Sequence, residues 1–189
     1  MTIETQFSID IADTLRVVTC MDHDPMPPMQ YPEVDYFIVA CHRQFYQSVE
    51  GFDGKEEDFA ESWESTHKIF PLSAYIHSGV SLYLGTHRTC QFDSGQVGWV
   101  LVPKTYTDPD GLCDEGYWHK FARSIVNEWN DYLNGDVWRV IVEERDSVED
   151  DWENSLEWGS IDGIVGELNA VNEAKHLAEE VKSNAEELI

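Results

Sequence analysis

Residues 116–142 read GYWHKFARSIVNEWNDYLNGDVWRVIV, and this stretch decides the fold class. Trp118, Phe121, Ala122, Ile125, Val126, Trp129, Tyr132 and Leu133 recur at three- and four-residue steps, the period of one wide apolar helix face. Gly135 stands just past the last of them, where a helix commonly ends on a left-handed residue. The run VWRVIV (137–142) follows at once. Its β-branched and aromatic side chains suit a buried strand.

Working outward, Ile3, Thr5, Phe7, Ile9 and Ile11 alternate in the two-residue period of a half-buried strand. Short apolar runs at 15–20 and 36–41 read as strands, separated by a proline-rich loop at 21–32. A helix is expected from about 55 to 67, with Phe52, Phe59, Trp63 and Phe70 near one face. Residues 72–84 and 97–102 read as strands joined by a turn-rich connection. A last helix is expected over 166–188, with Leu168, Val171, Leu177, Val181 and Leu188 as its apolar positions. The order lacks the βαβ alternation of a parallel sheet, so the expectation is one α+β domain over 1–189. Its sheet would be largely antiparallel, with helices packed mainly on one face.

The charge is the anomaly. Thirty-seven Asp and Glu stand against twelve Lys and Arg, a net charge of -25 in 189 residues. Apolar residues at 42% and aromatics at 12% nevertheless supply a core, so the acidity does not signal disorder. Such a charge opposes direct binding to nucleic acid or to an anionic membrane surface. No apolar run approaches the roughly 18 residues of a membrane span. The N-terminus shows no basic flank or apolar block of a signal peptide, so the expected location is cytoplasmic. Duplex DNA carries one charge per roughly 1.7 Å, so an excess of 25 matches about 42 Å of duplex.

The acids are concentrated. Residues 50–64 have a net charge of -6 and residues 143–189 a net charge of -12, together 18 of the 25 from about a third of the chain. The first group holds Glu56, Glu57, Asp58, Glu61 and Glu64. The second holds Asp146, Glu149, Asp150, Asp151, Glu153 and Glu157, with Trp152 and Trp158 as candidate exposed apolar anchors. Glu173, Glu180 and Glu187 recur every seven residues, a line with steps of about 10 Å along the last helix.

Residue types that carry chemistry are present without a complete pattern. Cys20, Cys41, Cys90 and Cys113 form no CxxC pair. Cys20 with His23, and Cys41 with His42, are a weak zinc constellation, and buried reduced thiols are the plainer reading. His77, Ser78, His87, Cys90 and Asp93 lie close in sequence but without a nucleophile elbow. Asp-Ser-Gly at 93–95 is a good turn sequence. The acids of residues 108–115 lack the calcium-loop register. No catalytic residue, cofactor or metal site is assigned.

Phe70–Gly79 (FPLSAYIHSG) and Cys90–Trp99 (CQFDSGQVGW) resemble an uncharacterised family of small proteins carried by bacteriophages and other mobile elements. Those show a PLYxYxHSG segment and then DSGQVG. The step Tyr132-Leu133-Asn134-Gly135-Asp136-Val137 is similar to the family's YLxGDV, and Ser155–Gly159 looks like its closing strand before a helix rich in Ala and Glu. The resemblance covers roughly residues 68–178 and leaves 1–65 unplaced. It implies a phage or plasmid accessory protein, a class whose acidic members often oppose host defence by mimicking nucleic acid.

The leading expectation is therefore a non-enzymatic inhibitor, in the cytoplasm of the host cell. It would present its acidic segments to the basic surface of a nuclease, restriction or CRISPR protein. Two other readings compete. One is a small hydrolase or ligand-binding enzyme using the segment His77 to Gln96. The other is an acidic housekeeping protein of a high-salt organism.

Overall fold

A computed structural model describes residues 6–28, 37–42, 45–47, 61–86, 93–106 and 115–187. In chain order the first strands are β1 (Phe7–Ala12), β2 (Leu15–Met21), β3 (Phe37–His42), β4 (Phe45–Gln47) and β5 (His67–Ile76). Next come β6 (Val80–Leu84), β7 (Ser94–Pro103), helix α1 (Glu115–Leu133) and β8 (Val137–Glu144). The chain closes with β9 (Glu153–Asn154), β10 (Ser160–Val165) and helix α2 (Glu167–Glu187). The strands form two five-stranded antiparallel sheets, each with a helix packed against it, so the fold class is α+β. By its contacts the chain divides into two compact units, Met1–Met26 with Gly135–Ile189, and Pro27–Asn134.

In the first unit the sheet runs β1-β2-β8-β10, and β9 also pairs β8. Strand β2 takes one edge of β8, from Leu15 opposite Glu144 to Met21 opposite Trp138. Strands β9 and β10 therefore follow one another along the other edge. Alternation in β1 turns Phe7, Ile9 and Ile11 toward the face that carries α2. There Val17, Val140 and Val142 pack against Ala174, Ala178 and Val181. Alanines at 170, 174 and 178 are buried one helical turn apart, a narrow stripe that brings the helix close to the sheet. On the opposite face Val18, Cys20 and Ile141 are also buried. Burial on both faces explains why VWRVIV shows no alternation.

The expected apolar stripe of this helix is only partly realised. Val181 is buried, but Leu168 is 72% exposed, because the alanines occupy the line that faces the sheet. The chain turns from β10 into α2 at Gly166, whose φ of +87° favours glycine.

In the second unit the sheet order is β4-β3-β7-β5-β6. Ile38, Leu72, Ala74, Leu82, Val100 and Val102 form one core with Trp118, Ala122, Ile125, Val126 and Trp129 of α1. Each large side chain so buried contributes roughly 1.5–3 kcal/mol. Strand β6 is an edge, and Asn130 covers its backbone. Its amide oxygen accepts from Leu82 N (2.7 Å) and its amide nitrogen donates to Leu82 O (2.9 Å). Gly135 (φ +77°) follows α1 in the left-handed region, as its place in the sequence implied.

The helix expected over 55–67 ends earlier. Helical geometry reaches Ser62, turns occupy 63–66, and β5 begins at His67. The amides of Thr66 and His67 both donate to Trp63 O (3.1 and 2.8 Å), and His67 pairs with Pro103 in the β5–β7 ladder. Phe70 therefore lies in a strand, edge-on to His119 at 5.8 Å. Strands β4 and β9 had no counterpart in the reading of the residues, and the closing strand expected at Ser155–Gly159 comes later: residues 156–158 are a turn, and β10 runs Ser160–Val165. No helix among the described residues is long and apolar enough to cross a membrane.

Candidate protein-binding surface

The densest acidic segment of the described residues is the arm between β8 and β10, residues 145–159. Its position is set by a cross-strand pair. Arg16 and Glu143 stand opposite one another on β2 and β8. The Arg16 Nε and Nη2 both reach Glu143 Oε2 at 2.7 Å. Glu143 is only 6% exposed, so this ion pair neutralises a carboxylate that water does not solvate.

The next base, Arg145, fastens the arm. Its Nε and Nη2 donate to Asp13 O (2.9 and 2.7 Å), and its Nη1 donates to Val148 O (2.8 Å). The arm is thereby tied to the β1–β2 turn. Trp152 lies between the two arginines, with each guanidinium carbon 4.2 Å from its ring centroid, a double cation–π contact. Further along, Ser155 N donates to Val142 O (2.8 Å) and Ser155 Oγ donates to Glu144 Oε2 (3.0 Å). Ser155 Oγ in turn accepts from Glu157 N at 3.3 Å.

What the arm presents outward is Asp146, Glu149, Asp150, Asp151, Glu153 and Glu157, all exposed. Among them Val148 is 60% and Leu156 98% exposed. Trp152 and Trp158 are not the exposed anchors expected of them. Trp152 is half-buried under its two arginines, and Trp158 packs against the α2 core. The exposed large apolar side chains of the arm are instead Val148 and Leu156. At the root of the arm a cleft of about 340 Å³ opens. Leu15 and Trp158 form its apolar side, and Glu144, Arg145, Asp146 and Glu157 its polar side.

The other predicted residues do not all join this surface. Glu61 and Glu64 are exposed in the second unit, while Glu56, Glu57 and Asp58 lie outside the described residues. On α2, Glu180 is exposed and Glu173 half-buried. The side chain of Glu187 lies outside the described residues. Sequence reasoning missed Arg16, Glu143, Arg145 and Leu156. A signal did exist for Arg145: it is the one base within the acidic run 143–158.

The segment His77 to Gln96 serves the second sheet. His77, Ser78 and Gly79 form the β5–β6 turn, closed by His77 N donating to Gly79 O (3.2 Å). Ile76 N donates to Asp93 O (2.8 Å), and Ser94 and Gln96 stand in β7 opposite Tyr75 and Ser73. His77 Nδ1 lies 3.7 Å from Asp93 Oδ2, and the imidazole is largely exposed. Residues 87–92 lie outside the described residues. Cys20 is a buried free thiol in β2. Burial pushes its pKa up, and the charges of Glu143, Asp22 and Asp162 add to this while Arg139 opposes it. Among the described residues no group of three or more His, Cys, Asp or Glu converges as metal ligands. Burial lowers the pKa of His67, with Lys104 acting in the same direction.

Comparison of the chain with protein-family models, with curated proteins and with solved structures gives no match.

Proposed function

We propose that the protein is a non-enzymatic binder of a basic, nucleic-acid-handling protein surface, on which it competes with nucleic acid. One observation carries the reading. The exposed carboxylates of Asp146, Glu149, Asp150, Asp151, Glu153 and Glu157 project from an arm that Arg145 and Trp152 fix in place. Fixed charges lose little side-chain and backbone freedom on docking. Their field accelerates encounter with a cationic partner. The resemblance to mobile-element proteins supplies the setting, a host restriction, CRISPR or other defence nuclease.

The experiment is a binding titration against such a nuclease at several salt concentrations, with duplex DNA or RNA as competitor. Screening shortens from about 10 Å at 0.1 M to 3 Å at 1 M ionic strength, so affinity falls steeply over that range and nucleic acid displaces the protein. Salt-insensitive binding, or a ternary complex with nucleic acid still in its groove, defeats the reading.

A further inference from the structure

The cleft at the root of the arm has a composition that selects its guest. Leu15 and Trp158 give it an apolar wall, and Trp158 is itself held by the α2 core. Among its lining residues Glu144, Asp146 and Glu157 are acidic, against the single base Arg145. That one cation is outnumbered by the acidic side chains, and three of its five N–H groups are already engaged. Its Nε and Nη2 are engaged by Asp13 O, its Nη1 by Val148 O, and its face by the Trp152 ring. Glu144 is positioned from behind, because its Oε2 accepts from Ser155 Oγ. Glu157 is positioned through its backbone amide on the same hydroxyl. The result is a net-negative recess with an aromatic wall, of a volume (about 340 Å³) that admits a long side chain.

We infer that this cleft is a socket for an arginine side chain of the partner protein. This deepens the function proposed above and rests on it for the identity of the partner as a protein. A guanidinium is planar and weakly hydrated, so it stacks on an indole and forks to two carboxylates at once, whereas an ammonium is a compact point charge. The three-carbon stem lies along Leu15 while the head meets Asp146 and Glu157. The exposed Leu156, adjacent to Glu157, then stands beside the socket as an apolar contact on the same partner surface.

The test uses the full chain and N-acetyl-arginine amide as the probe, followed by amide and indole NMR shifts. N-acetyl-citrulline amide is the uncharged isostere. Saturable shifts are expected at Thr14, Leu15, Asp146, Glu157 and the Trp158 indole with the arginine probe, and at least fivefold weaker binding with citrulline. Glu157→Gln combined with Asp146→Asn weakens the arginine probe at least fivefold. Both positions are exposed, so the double variant keeps a wild-type amide spectrum elsewhere. Glu179→Gln on α2 leaves probe binding unchanged. Equal binding of citrulline overturns the inference, and so do shifts spread over exposed carboxylates without saturation at the cleft. Either result leaves the salt and competition titration of the proposed function standing on its own outcome.

Discussion

Replacing Arg145 by alanine separates the amount of charge on the arm from its placement. The substitution removes three N–H···O=C bonds, two to Asp13 O and one to Val148 O, and one of the two cations on Trp152. Hydrogen bonds from a charged donor contribute about 1.5–3 kcal/mol each when buried, but this side chain is only half-buried. About 0.5 kcal/mol apiece is the appropriate lower figure. The exposed cation–π contact adds about 0.5–1 kcal/mol. The arm therefore loses about 2–2.5 kcal/mol of local stability, or about 30- to 60-fold in its opening equilibrium at 1.4 kcal/mol per tenfold. Native-state amide exchange reads this directly at Asp150, whose N–H donates to Ser147 O inside the arm. Exchange there should accelerate by that factor, while Val17 and Val140 in the sheet core stay protected. Arg145→Lys keeps the charge but cannot form the fork, so it should recover less than half of the protection. The same variant bears on function. Alanine makes the protein one unit more negative, so attraction by charge alone predicts tighter binding to a basic partner. A pre-organised arm predicts weaker binding. Exchange at Asp150 altered by less than threefold would refute the pinning role, and tighter partner binding would refute the importance of placement.

The remaining predictions concern the fold and its ionisable groups. Arg16→Met leaves Glu143 buried without its counter-ion and should lower stability by about 3 kcal/mol in a denaturant titration. Arg16→Met with Glu143→Leu should restore most of it. Asn130→Ala exposes both backbone groups of Leu82 and should cost about 1–3 kcal/mol. Asn130→Asp, which accepts but cannot donate when ionised, should fall between the two. His67 has a lowered pKa because it is partly buried near Lys104. Its stability contribution is therefore present above the ordinary imidazole pKa of about 6.5 and lost as the pH falls from there through the lowered folded-state value. His67→Gln should flatten the melting temperature against pH below about 6.5. The raised pKa of the buried Cys20 thiol has the opposite sign: stability holds below the ordinary thiol range and declines as the pH rises past it. Alkylation of Cys20 at neutral pH should accordingly require unfolding, checked by mass spectrometry with and without urea.

Much of this architecture was legible where one periodicity held over a long segment. The helix at Glu115–Leu133 and the strand after Gly135 were read to within a residue or two at most ends, because a wide apolar face and a glycine stop leave few alternatives. The segment over 55–67 misled because Trp63 and Phe70 fit a helical spacing. Their partners in space, the two amides on the Trp63 carbonyl and the Val100 opposite Phe70, lie outside what spacing encodes. At the arm the acids were visible and the device that holds them was not. Arg16 lies 127 positions from Glu143, and no local pattern joins them. Acidic neighbours point Trp152 to solvent, whereas the guanidiniums of nearby Arg145 and of Arg16, far off in the chain, cover it. Nothing in the spacing marks Leu156, a single leucine in a polar run, which is exposed beside the buried Ser155.

The first unit is assembled from both ends of the sequence, with β2 and β8 paired across more than a hundred intervening residues. This connectivity imposes an order on biosynthesis. The hairpin of β1 and β2 leaves the ribosome with one edge bare and must wait for the chain through Glu144. At roughly 5–20 residues per second that interval is about 6–25 seconds. Throughout it the apolar side chains Val17, Val18 and Leu15 have no β8 to cover them. The intervening unit, Pro27–Asn134, is synthesised in full within that wait. Folding of that unit before β8 emerges would shorten the effective loop that β2 and β8 must close. Variants that slow the middle unit, such as those in the α1 core, should therefore reduce the yield of correctly paired β2 and β8 even though they touch neither strand.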